Sequence, residues 1–296
     1  MGLQTKVQMT GTATVKQPNS GGAGVPSTIA VTSGKGGVGK SQLVASMAII
    51  LRQEGHRPLL VDADVGCGNL DVLLDCQPEN DLRSVLKGEK RPEEIVTRTR
   101  VGDVEIDMLA APAPDQHGSD LEPAQQLAMI DAVGRAGLGY DLVLVDTGAG
   151  VSRNPMLFGA AADRVVLVTT PDPTAIKDAY AAIKVMYQAH RIDRIDLVVN
   201  MTQDARDGKR VYGKLTSVVE QFLPVEVRLL GMLPYDDRVV RAVRARSPAT
   251  QAYPASSYSH SVRKIVRRLL DDASDVRSGG QVRYFAPGAV HGGGPT

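Results

Sequence analysis

Short runs of consecutive apolar, mostly β-branched residues alternate along the chain with longer stretches whose apolar positions recur every three or four residues. The runs at 28–32, 58–61, 104–109, 142–145, 165–169, 197–200 and 229–233 predict strands. Several are apolar at successive rather than alternate positions, which is the pattern of strands covered on both faces in a parallel sheet. The stretches 40–54, 120–135, 174–188, 208–222 and 257–270 predict helices. Asp172 followed by Pro173 marks one helix start, an N-cap acceptor and then a residue whose missing N–H is no loss in the first turn. Strands and helices alternating through short connections predict an α/β domain, a doubly wound and mostly parallel sheet with helices on both faces. Residues 1–27 and 272–296 show neither period and carry glycine clusters, so a flexible arm and a flexible tail are expected around one domain at 28–271.

In such sheets ligands gather at the carboxyl ends of the strands. The first predicted strand runs into Ser33-Gly34-Lys35-Gly36-Gly37-Val38-Gly39-Lys40-Ser41, and a predicted helix follows. Gly34, four residues and then Gly39-Lys40-Ser41 satisfy the Walker A spacing. Glycines let successive backbone N–H groups curl round phosphate oxygens, and the helix beginning near Lys40 brings its positive end to the same anion. Lys40 can reach the β- and γ-phosphates, and the Ser41 hydroxyl can ligate Mg2+. Gly34, Gly36 and Gly39 also spell a dinucleotide fingerprint, with Asp62 where a ribose-binding acid would sit. That fold has no use for Lys40-Ser41 or for a second acid two residues beyond Asp62, so the triphosphate reading is preferred.

Two further strands end in acids. The run 58–61 leads into Asp62-Ala63-Asp64, whose carboxylates at i and i+2 point to one side of an extended segment. The run 142–145 leads into Asp146-Thr147-Gly148-Ala149-Gly150, the Walker B arrangement of an apolar strand closing on a metal-binding acid. One strand-end Asp alone would read as a helix cap. Three beside a phosphate loop point to metal and water chemistry. Asp64 is the candidate to orient the attacking water, Asp146 and Ser41 serve the metal, and Asp62 supports that shell. Lys35, on the outer lip of the loop, is a candidate to place a cation on a partner's nucleotide, the role of an arginine finger.

The whole-chain balance narrows the setting. Of 296 residues, 43% are hydrophobic and the net charge is +1, which excludes both a disordered chain and bulk-charge coating of nucleic acid. Cys67 and Cys76 are the two cysteines, too few for a disulfide framework and too widely spaced for a Cys-x-x-Cys metal-cluster pair. No apolar run spans a bilayer and the N-terminus lacks a secretory core, so the chain is expected in the cytoplasm. The last predicted helix sets Val262, Ile265, Val266 and Leu269 on one stripe, with Arg263, Lys264, Arg267 and Arg268 elsewhere. Such a helix either lies weakly on the inner face of an anionic membrane or packs its stripe on the sheet, and packing is the simpler reading. Arg238, Arg241, Arg244 and Arg246 form a second basic cluster, but near-zero net charge disfavours DNA as a partner.

The K-G-G-V-G-K-S run with Lys35 resembles the deviant Walker A ATPases of the MinD/ParA group, the SIMIBI class of P-loop NTPases. Asn69-Leu70-Asp71-Val72-Leu73-Leu74, the Asp146 to Ser152 segment and Thr169 to Tyr180 are similar to the flagellar FlhG (YlxH/FleN) branch. The resemblance covers about 29–270. It implies ATP and Mg2+ as cofactors, an ATP-sandwich homodimer with Lys35 crossing between subunits, and hydrolysis that returns the protein to a monomer. It also implies Asn200 on the adenine, the segment near Pro234 lining the base pocket, and protein partners in the flagellar or division machinery. The function so implied is an ATP-dimerising spatial switch for flagellar number or placement. Division-site placement and DNA segregation are the alternatives.

Overall fold

The computed structural model describes residues 27–65, 68–112, 122–150 and 153–272. The strands are β1 (Ser27–Ser33), β2 (Pro58–Ala63), β3 (Thr97–Val101), β4 (Val104–Leu109), β5 (Leu142–Ala149), β6 (Arg164–Thr169), β7 (Arg194–Thr202) and β8 (Glu226–Pro234). Helix α1 (Lys40–Gln53) follows β1, and the short α2 (Leu70–Leu73) and α3 (Leu82–Leu86) follow β2. Helices α4 (Pro123–Ala136), α5 (Arg153–Ala161), α6 (Pro173–His190) and α7 (Ala205–Phe222) each lie between successive strands from β4 to β8. Then come α8 (Asp237–Arg244), α9 (Ala249–Ala252) and α10 (Ser257–Asp271).

One eight-stranded sheet has the order β3-β4-β2-β5-β1-β6-β7-β8. Every pairing is parallel except β3 with β4, so the expected doubly wound sheet is the one found. The sequence pattern did not predict β3. It alternates Thr and Arg, and a two-residue turn with Gly102 at φ +63° folds it back on β4 as an edge strand. Arg98 and Arg100 pair with Asp107 and Glu105 across that ladder, where a parallel core strand would place valines.

Both faces of the sheet are covered. On one lie α1 and α10, with Val44, Met47, Ile50, Val262, Ile265 and Leu269 in a single cluster. On the other, α4 packs over β2, β4 and β5, while α6 and α7 pack over β6 to β8. The stripe of α10 is consumed here: Val262, Ile265, Val266 and Leu269 are all buried. The packing reading of that helix therefore stands, and its apolar face is not offered to a membrane. Among the described residues no helix is long and apolar enough to cross one.

At the amino ends of β6, β7 and β8 the Asp196 carboxylate is gripped by two guanidinium groups. Arg164 Nη2 and Nε reach Oδ2 at 2.6 and 3.1 Å, and Arg228 Nη2 and Nε reach Oδ1 at 2.7 and 3.0 Å. Arg164 also donates to the Leu269 carbonyl, tying α10 to the sheet. Each acceptor in this buried knot is matched by a donor, the condition under which a charge tolerates burial.

Candidate active site

Sheet register brings the strand-end acids together. Asp62 on β2 and Asp146 on β5 are register partners, and Asp146 is also the partner of Val31 on β1, two residues before the phosphate loop. The loop leaves β1 at Ser33, exposes Gly36 and Gly37 at its crest, buries Val38 and enters α1 at Lys40. Two of its glycines answer to neighbouring structure. A Cβ on Gly34 would collide with the Asp178 carbonyl of α6, and one on Gly39, at φ +91°, would stand 2.5 Å from Asn200 Nδ2. The loop after β5 is tied to the same place, since Gly150 N donates to Ser33 O at 2.9 Å.

Asp146 is 2% exposed, and its Oδ1 is buried without a hydrogen-bond partner. Burial pushes its carboxyl up to about 7 and the Asp62 carboxylate adds to the rise, against the pull of the Ser41 hydroxyl and the Lys40 ammonium. Burial also raises Asp62 to about 6, even though backbone N–H groups oppose it. Asp64 is raised by burial in turn and held back by Lys40. Asp146 and Asp64 share the Lys40 ammonium, Asp62 adjoins both acids, and the Asp146 oxygen without a partner lies near the Ser41 hydroxyl, a donor set suited to a cation. Mg2+ suits it, because that ion takes one or two protein oxygens and completes its octahedron with phosphate and water. Among the described residues no three His, Cys, Asp or Glu side chains form a self-sufficient metal cage.

Asp62 was expected to support the metal shell, and its contacts show how it bears on that shell. Oδ2 accepts from Asn69 N at 2.9 Å and Leu70 N at 3.0 Å, while Oδ1 accepts from Asp64 N at 3.1 Å. The side chain thus shapes the segment that carries Asp64 and starts α2. Its oxygens are engaged by amides rather than left open as Asp146 Oδ1 is.

Lys35 stands on the lip as expected, but in this chain it points to its own α6. Nζ donates to Asp172 Oδ2 at 3.0 Å and to Thr174 Oγ1 at 2.6 Å. Asp172 is the predicted N-cap, accepting from Thr174 N at 2.9 Å, and the Lys35 ammonium pushes its carboxyl down to about 2. Asn200, expected on the adenine, is 5% exposed and engaged beneath the loop: Nδ2 donates to Val38 O and Oδ1 accepts from Met201 N, both at 2.8 Å. Pro234 ends β8 as the register partner of Thr202, two residues beyond Asn200. Asn200 and Pro234 are therefore neighbours at the carboxyl ends of adjacent strands.

Comparison with known proteins accords with this geometry. The ParA family, described as NUBPL iron-transfer P-loop NTPase, matches residues 24–270. The chain belongs to the ParA family. Among ParA relatives, the antiactivator FleN of Pseudomonas aeruginosa is 32% identical over 257 residues, 87% of this chain and 91% of that one. The flagellum site-determining protein YlxH of Helicobacter pylori is 33% identical over 263 residues, 87% of each chain. The septum site-determining protein MinD of Pyrococcus horikoshii, solved with Mg-ADP, superposes with a TM-score of 0.68 at 22% identity over 86% of this chain and all of that one, which shows the shared fold. As a ParA-family P-loop protein, this chain is an ATP hydrolase.

The sequence reading missed the partners of two site residues. Lys35 contacts Asp172 and Thr174 because β6 lies next to β1, which sets the head of α6 beside the loop. The Asp172-Pro173 cap was the available signal, but strand order was needed to use it. The Asn69 and Leu70 amides on Asp62 had no side-chain signal at all. Cys67 falls outside the described residues, and Cys76 is a half-buried free thiol.

Proposed function

We propose that the protein is a Mg2+-dependent ATPase that dimerises on ATP and serves as a spatial switch setting flagellar number or placement. The observation that carries the flagellar reading is the similarity to FleN and YlxH across 87% of the chain. The ATPase unit is taken as residues 28–271, since the eight strands join one sheet; the expected arm and tail lie, but for Ser27 and Asp272, outside the described residues.

The residue roles follow from position. The loop amides from Gly34 to Ser41 and the Lys40 ammonium bind the phosphates. Ser41 and Asp146 hold Mg2+, which when bound neutralises charge on the β- and γ-oxygens. Asp62 fixes the segment bearing Asp64 through three N–H groups, and Asp64 orients water in line with the terminal phosphoryl group. In the dimer Lys35 leaves Asp172 and Thr174 for the partner's nucleotide. Asn200 stands under the loop and, with Pro234, borders the adenine. Iron transfer, the activity in the family description, would as cluster carriage need a Cys-x-x-Cys pair and is disfavoured by the spacing of Cys67 and Cys76. DNA is disfavoured too: Arg246 pairs with Asp75 and Arg238 lies beside Asp236, which engages half of the basic cluster.

Division-site placement is the second reading, favoured by MinD of Bacillus subtilis at 31% identity over 83% of this chain. Deleting the gene and imaging cells by electron microscopy separates the two. Altered flagellar number or position with normal septa supports the flagellar switch, whereas misplaced septa with normal flagella overturn it in favour of division.

A further inference from the structure

At the end of the sheet opposite the phosphate loop, a cleft of about 170 Å3 opens between the tail of α1 and the starts of β2 and β5. Its lining is charged, with Arg52, Arg57 and Arg98 facing Glu105 and Asp107 beside Tyr140. Both acids are already matched. Arg98 holds Asp107 through Nε and Nη2 at 2.8 and 3.3 Å, and Tyr140 Oη donates to the same carboxylate at 2.9 Å. Glu105 is paired with Arg100, just outside the cleft, at 2.8 Å.

The remaining cations are not matched. Arg52 donates from Nε to Glu105 O and from Nη1 to His56 O, which holds its plane and leaves Nη2 over. Arg57 lies 5.4 Å from the centre of the Tyr140 ring, and among the described residues its guanidinium has no hydrogen bond and no ion pair. Its main chain is anchored all the same: Arg57 N donates to Asp141 Oδ2 at 2.7 Å and Asp141 N donates to Arg57 O at 3.0 Å. Arg57 is exposed, and its guanidinium, set over Tyr140 on an anchored main chain, can offer a fork of N–H donors to an oxyanion.

We propose that this cleft binds a phosphate group, held by the Arg57 fork and Arg52 Nη2. The Arg57 fork and Arg52 Nη2 offer donors from two side chains, which suits a tetrahedral anion presenting three or four acceptor oxygens. Such a ligand would join the tail of α1 to the start of β2, the elements whose other ends carry Lys40 and lead into the Asp62–Asp64 pair.

The test titrates inorganic phosphate at constant ionic strength into protein saturated with Mg2+ and ADP, read by calorimetry and by amide NMR. One saturable phosphate is expected, with the Arg57 and Arg52 resonances shifted. Arg57→Ala keeps both main-chain anchors and should weaken phosphate about ten-fold or more while ADP affinity stays the same. Arg57→Lys, which keeps charge without the fork, should fall between. Two further arms identify the source, glycerol phosphate in solution and sedimentation with phosphatidylglycerol vesicles against phosphatidylcholine. Vesicle binding lost in Arg57→Ala assigns a lipid headgroup, and phosphate binding without vesicle binding assigns a soluble phosphate. The proposal is overturned by no saturable binding, by phosphate uptake that ADP abolishes, or by an Arg57→Ala protein that binds as the parent does.

Discussion

Two buried carboxylate assemblies sit at opposite ends of one sheet and are built on opposite rules. Asp196 has two guanidinium groups on its two oxygens, and every contact closes within the fold. Asp146 is as deeply buried, yet it faces another acid and keeps one oxygen without a partner. The first is a finished structural knot, and the second keeps an acceptor open. Burial of charge thus distinguishes scaffold from site only when partners are counted: a matched acid holds elements together, while an unmatched one awaits what completes it.

The sharpest way to break this contrast is to substitute each end. Asp146→Asn and Asp64→Ala are each expected to lower the ATP turnover rate by about 100-fold or more, measured as released phosphate, with fold stability kept or raised. Asp64→Ala should still bind nucleotide. At the other end, Asp196→Asn leaves Arg164 and Arg228 only the partly exposed Asp272, 3.5 and 3.4 Å away, and is expected to cost about 3 kcal/mol in denaturant unfolding, with turnover per folded molecule unchanged. Equal stability losses at both ends would erase the distinction.

Acidity offers a second test. The raised Asp62 and Asp146 bind protons in the folded, ligand-free protein that the unfolded chain has released above its ordinary pKa near 4. Folding stability from these two groups is therefore highest near pH 4, declines as pH rises and is fully lost above about 7, an effect on the order of a few kcal/mol. Thermal melts from pH 5 to 8 should show it, Asp146→Asn should flatten it, and saturating Mg2+ with nucleotide should reverse it. A smaller effect is expected from Asn200→Ala, which leaves the buried Val38 carbonyl without its donor and should cost about 1–3 kcal/mol. The least is expected from Asp172→Asn, which keeps an acceptor for the Thr174 cap and removes only an exposed pair with Lys35, so the melting temperature of the ligand-free protein should hardly move.

The sequence showed the parallel core well, because residues buried on both faces leave continuous apolar runs. Strand β4 falls at 104–109 as read, and α1 starts at Lys40 as read. Edges and short helices were hidden. β3 is Arg or Thr at four of its five positions, and α8 takes its shape from the Asp236 cap and presents Val240 and Val243 outward, so neither shows a core period. At the site, residue types fixed by chemistry were legible, as with Lys40, Ser41 and the three acids. What those residues lean on was not, because Asn200 reaches Val38 across 162 positions and Lys35 reaches Asp172 across 137. Contacts of that kind follow from strand order, which no local window of sequence contains.

The bare α-carbon of Gly34 has a mechanical corollary. Helix α6 rests on it without room for even a methyl group, while Lys35, the next residue, is moored to the head of that same helix. Loop and helix therefore share a hard bearing surface. A shift of the loop toward α6 would have to move the helix with it.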